Sequence, residues 1–98
     1  MIIAIVNFQL GVNHEVDAIR KRFEESVPRF RNLPGLLRKN YLYDPASGVG
    51  GGVYLWQTRA QAEAYYSPAW RERMHTTMGN TPAVRYFEMP VEVDNSSN

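Results

Sequence analysis

Apolar residues recur along this 98-residue chain with two different periods, and the order in which those periods follow one another leaves few folds open. Ile2 to Gln9 is a short β-branched run that includes Phe8, and it reads as a buried strand. Gly11 breaks it, and Asn13 is placed to cap a helix. Val16, Ile19, Phe23, Val27 and Phe30 then return at helical spacing with charged residues between them. Pro28 predicts an end or a kink after Val27, and Pro34-Gly35 closes the segment. Leu36 to Tyr43 alternates and carries β-formers, which predicts a second strand, and Asp44 to Gly48 is turn chemistry. A third strand is expected over Val53 to Gln57, entered through Gly50, Gly51 and Gly52, and the short spacing makes the two a hairpin. Thr58 with Gln61 has the capping-box pattern ahead of an Ala-rich helix. Ser67-Pro68 restarts that helix, which runs through Trp70 and Met74 to a stop at Gly79. A last strand covers Ala83 to Met89, and Pro90 sets off Val91-Glu92-Val93.

The expected order is therefore β-α-β-β-α-β, an α+β chain of the ferredoxin-like kind. Right-handed crossovers put both helices on one face of a four-stranded antiparallel sheet. The other face is left bare and has to be covered, most simply by the same face of a second copy. The expected assembly is a homodimer through that face, a dimeric α+β barrel. Residues 1–93 are expected to form one domain, and the short polar tail 94–98 to be disordered.

Composition narrows the function classes. The chain is 44% hydrophobic and 12% aromatic, too apolar for a disordered segment. Eleven Lys plus Arg against ten Asp plus Glu leave a net charge of +1, without the concentrated basic patch that nucleic-acid binding needs. The cluster Arg20, Lys21, Arg22, Arg29 and Arg31 is diluted by Glu15, Glu24 and Glu25 and reads as a solvated helix face. No cysteine is present, so disulfides and thiolate chemistry are excluded, which suits a cytoplasmic setting. Met1 to Val6 is apolar but lacks a basic flank and is too short to span a bilayer, so no membrane association is expected.

Few residues stand out for chemistry. Asn7 interrupts an apolar strand, sharing a face with Ile3 and Ile5, and its amide must find partners or orient a substrate. His75 falls in the last turn of the second helical region, where a cation is welcome, and an imidazole can serve as a general base. His14, at a helix start, reads as surface. Tyr54 and Trp56 share one face of the third strand, and with Tyr65 and Trp70 they are the candidate liners of a cavity between helices and sheet. Gly48 to Gly52 does not form a phosphate loop, because it leads into a strand and no Lys-Ser/Thr follows; it reads as a flexible hairpin. Two histidines so far apart make no recognisable metal site, so none is expected.

The stretches Pro34-Gly35-Leu36-Leu37, Gly51-Gly52-Val53-Tyr54-Leu55-Trp56 and Ala60-Gln61-Ala62-Glu63-Ala64-Tyr65 resemble the YdhR-type monooxygenases of the dimeric α+β barrel superfamily. That resemblance covers the middle third of the chain by motif and the remainder by element order. It implies relatives among quinone-forming monooxygenases that need neither metal nor flavin, whose substrate is a phenol that loses a proton and reacts with dioxygen directly. It also implies relatives that degrade haem with an Asn on the first strand, a Trp in the second helical region and a His ten residues on. Asn7, Tyr65 and His75 stand at the matching places, with Tyr where that branch has Trp. The expected function is a monooxygenase without a cofactor, acting on a small aromatic or polycyclic phenol, with His75 as base and Asn7 as orienting group. The rivals are a barrel that binds a small hydrophobic ligand without turnover, and a haem-binding protein.

Overall fold

A computed structural model describes residues 1–96; the end of the tail expected over 94–98 lies outside the described residues. Strand β1 (Ile2–Gln9) is followed by helix α1 (Val16–Arg31), strands β2 (Leu36–Tyr43) and β3 (Val49–Trp56), helices α2 (Arg59–Tyr65) and α3 (Pro68–Met78), and strand β4 (Ala83–Glu88). The four strands form one sheet in the order β2-β3-β1-β4. Every pairing is antiparallel, with Ile2 opposite Trp56 and Val6 opposite Gly52 on one side of β1, and Ala4 opposite Tyr86 on the other. This is the ferredoxin-like arrangement expected from the element order.

The period of two along β1 decides which face carries the core. Ile2, Ala4 and Val6 are buried, and they pack with Tyr54 and Trp56 of β3 against Ala62, Tyr66 and Trp70 from the helical layer. Full burial of a large side chain such as Trp56 contributes roughly 2–3 kcal/mol. The opposite face, carrying Ile3, Ile5, Val53 and Phe87, has no layer over it; Phe87 is 45% exposed.

Local chemistry explains most boundaries. The Thr58 hydroxyl accepts from the Gln61 N–H at the start of α2, and the Ser67 hydroxyl accepts from the Trp70 N–H at the start of α3. Pro68 occupies the first turn of α3, and Gly79 ends it in the left-handed conformation at φ 79°. Ser67-Pro68 divides the second helical region into two helices, as its sequence implies.

Three boundaries differ from expectation. Helix α1 does not end at Pro28 but runs to Arg31, because a proline at the start of the last turn removes one hydrogen bond without stopping the remaining residues from coiling. Asn13 is not its cap: it sits at φ 60°, its N–H donates to the Pro45 carbonyl at 2.9 Å, and Glu15 stands at the helix start without a capping bond. Strand β3 begins at Val49, so Gly50, Gly51 and Gly52 are paired strand residues and not a flexible hairpin. Among the described residues, no helix is long and apolar enough to cross a membrane.

Candidate functional site

Between α1, α3 and the sheet lies a cavity of about 360 Å³, within the range of small-molecule sites. Its floor includes the backbone of Gly51 on the central strand β3. Gly51 adopts φ 138°, and a Cβ there would stand 1.8 Å from the Val6 carbonyl oxygen, so no other residue fits. At Gly52 a Cβ would meet the Lys39 Cε and the Tyr54 ring, each at 3.1 Å. Glycine leaves the space through which the Lys39 stem passes.

The walls are aromatic. Phe30 of α1 meets Tyr54 of β3 and Tyr65 of α2 edge-on at 6.0 Å each, and Tyr65 lies 5.9 Å from Trp70. Such tilted pairs add about 0.5–1.5 kcal/mol to the area they bury. Tyr41 is tied to α1: the Ser26 hydroxyl donates to the Phe23 carbonyl at 2.8 Å, which leaves the Tyr41 hydroxyl to donate to Ser26 at 2.6 Å. Burial pushes Tyr54 and Tyr66 far above the ordinary phenol range and raises Tyr65 as well. These hydroxyls stay protonated near neutral pH, so they donate hydrogen bonds and do not act as bases.

One cation lies among the rings. The Lys39 Nζ stands 3.5 Å from the centroid of Phe30, 4.0 Å from Tyr41 and 4.6 Å from Tyr54. Burial, and then the neighbouring Arg29 guanidinium, lower it from 10.5 to about 7, while each ring face favours the ammonium. Arg22, Arg29 and Arg73 also border the cavity, with Glu25 as its only acidic lining residue among those described. The potential inside is positive.

The residues predicted from the sequence divide between this cavity and other places. Tyr54, Tyr65 and Trp70 line it. Trp56 stands behind them, 1% exposed, with its Nε1–H donating to the Tyr66 hydroxyl at 3.1 Å. Asn7 and His75 do not come together with Tyr65. Asn7 alternates with Val6 and Phe8, which face the helices, so it belongs to the open face of the sheet, opposite Gly51 and Ala83. His75 is exposed on α3, its Nδ1 3.0 Å from the Thr81 hydroxyl, while Trp70, Met74 and Thr77 carry the cavity side of that helix.

Lys39 was not singled out by sequence, although alternation places it with Tyr41 and Tyr43 and apart from Asn40. A lysine on the inward parity of a strand was the available signal. Among the described residues, no group of His, Cys, Asp or Glu is arranged to hold a metal ion.

Solved structures share the fold. A monooxygenase from the gene ActVA-Orf6 of Streptomyces coelicolor, in complex with nanaomycin D, matches at TM-score 0.66 and 15% identity over 97% of this chain and 92% of that one. SnoaB, a cofactor-independent oxygenase from Streptomyces nogalater, matches at 0.59 and 14% over 94% and 96%. A variant of MhuD with two manganese protoporphyrin IX molecules per active site matches at 0.69 and 17% over 97% and 100%. At these identities the likeness is one of fold. No curated protein matches the sequence. The family model described as "Putative mono-oxygenase ydhR" matches residues 3–93, nearly the whole chain, and the protein belongs to that family.

Proposed function

We propose that the protein is a small monooxygenase that needs no cofactor and oxidises a small aromatic or polycyclic phenol with dioxygen. The observation that carries this reading is the cavity walled by Phe30, Tyr54, Tyr65 and Trp70 in a member of a mono-oxygenase family. Flat aromatic walls suit a flat ring system. The phenol loses its proton, the ring carbon that becomes the second carbonyl gains one oxygen atom, and the second atom leaves as water with the two hydrogens lost. One phenol and one dioxygen thus give one quinone and one water.

An oxygen electrode with a panel of anthrones and of naphthols unsubstituted para to the hydroxyl tests the proposal. The expected result is protein-dependent uptake of one dioxygen per quinone formed. Binding of these compounds without uptake would instead favour a ligand-binding barrel. His75 as base and Asn7 as orienting group are tested in the same assay: uptake lost in H75A or N7A retains them, and uptake preserved in both assigns proton handling to the cavity wall.

The cavity does not fit haem held by a histidine. His14 and His75 are the only histidines in the chain, and neither lines it. Purified protein is expected to be colourless, and a Soret band on adding haemin would overturn that. The open sheet face with Ile3, Ile5, Val53 and Phe87 is proposed as the homodimer contact, since these side chains otherwise meet water.

A further inference from the structure

We propose that Lys39 is the proton acceptor and anion anchor of the cavity, and that the ligand is a planar aromatic carrying an acidic hydroxyl group. The proposal deepens the oxygenase reading and rests on it for the identity of the reaction, though not for the binding chemistry.

The geometry is that of a cation held without a counter-charge. Lys39 reaches inward from β2 and places Nζ among the rings of Phe30, Tyr41 and Tyr54. Among the described residues it makes neither a hydrogen bond nor an ion pair; the carboxylates that are paired, Asp17, Glu63 and Glu92, belong to arginines. An ammonium group has three donors and needs an acceptor, and ring faces supply none of the directional kind. An aryl oxide lying in the cavity would supply one, in a charge-assisted bond.

The charged and titratable groups that border the cavity favour the same ligand. Helix α1 contributes Arg22, Glu25 and Arg29, α3 contributes Arg73, and the phenols of Tyr41, Tyr54 and Tyr65 come from β2, β3 and α2. The phenols are neutral and the cations outnumber Glu25, so an anion is stabilised and a second cation is not. With its pKa near 7, Lys39 is poised to hold or release a proton in the neutral range. In the step proposed, the neutral amine takes the hydroxyl proton of the ligand; the O–H bond breaks, an N–H bond forms, and ammonium and aryl oxide remain as a pair.

Calorimetry with para-nitrophenol, and with para-nitroanisole as the analogue that cannot ionise, tests this at about pH 9, where the free probe is anionic and unliganded Lys39 is mostly neutral. Titrations in two buffers of different ionisation enthalpy give the protons taken up. Wild-type protein is expected to take up close to one proton per para-nitrophenol bound and none with para-nitroanisole. K39R, charged beforehand, is expected to bind the phenolate without proton uptake. K39M is expected to lose about tenfold or more in affinity for para-nitrophenol while holding para-nitroanisole as wild type does. Binding without uptake by the wild type, unchanged phenolate affinity in K39M, or no binding of either probe would each overturn the proposal. K39R guards against a folding defect in K39M. Oxygen consumption is not read here, so a protein that shows this linkage and never oxidises a phenol sinks the oxygenase reading alone.

Discussion

Lys39 illustrates how one side chain can oppose the stability of the fold and still belong to its site. Its folded pKa of about 7 lies below the unfolded 10.5, so the linkage has a definite sign. Below about 7 both states carry the charge and the native state bears the whole cost of burying it. Between about 7 and 10.5 the native state releases the proton first, and the cost falls as pH rises. Replacement by methionine, which keeps the stem and drops the charge, is therefore expected to stabilise the protein by about 1–3 kcal/mol near pH 6. The gain should shrink towards zero by about pH 10, as followed by urea unfolding at several pH values. A gain that does not vary with pH would mean that Lys39 is not held in the way described. Lys39 was poorly legible in the sequence because a charged residue on an edge strand looks solvated. Only the rings brought over it by α1 and β3 make it internal.

Among the elements, the join between α2 and α3 does the most to shape the cavity. Tyr65 ends one helix, Trp70 lies in the first turn of the next, and Ser67 caps that second helix by accepting from the Trp70 N–H. S67A is expected to lose about 1 kcal/mol of stability in chemical denaturation, the usual cost of an N-cap. It should also change the near-ultraviolet circular dichroism of the Tyr65–Trp70 pair; an unchanged spectrum would show that packing alone holds the join. Both caps were readable in the sequence because capping is a contact between residues three apart. The start of β3 was not. Val49 to Gly52 looks like loop to any local rule, and it is strand because β1 and β2 supply hydrogen-bond partners on both sides. The same limit applies to α1, where Pro28 signalled an end or a kink and the helix continues past it to Arg31.

For the whole molecule, the open sheet face is the surface proposed for assembly. Ile5 sits at its centre, opposite Val53 on one side and Arg85 on the other. Light scattering is expected to show a dimer for the wild type and a monomer for I5K, since a lysine there would be buried without a partner in the dimer and solvated in the monomer. A monomeric wild type would remove the dimer proposal and leave the cavity of the single chain as it is described.

The sequence by itself determined the order of elements, the parity of residues along each strand, the caps of α2 and α3 and the identity of most of the rings. All of these depend on contacts within a few residues, and the Pro34 to Tyr65 motifs added the family. Tertiary structure decided where those residues meet. Parity showed that Asn7 shares a face with Ile3 and Ile5 but could not say which face the helices would cover. Spacing put His75 ten residues after Tyr65 but could not say that α3 turns it towards Thr81. The pairing of three strands and the seating of three helices bring Phe30, Lys39, Tyr54, Tyr65 and Trp70 around one space. That convergence rests on contacts between distant parts of the chain, and no local pattern encodes them.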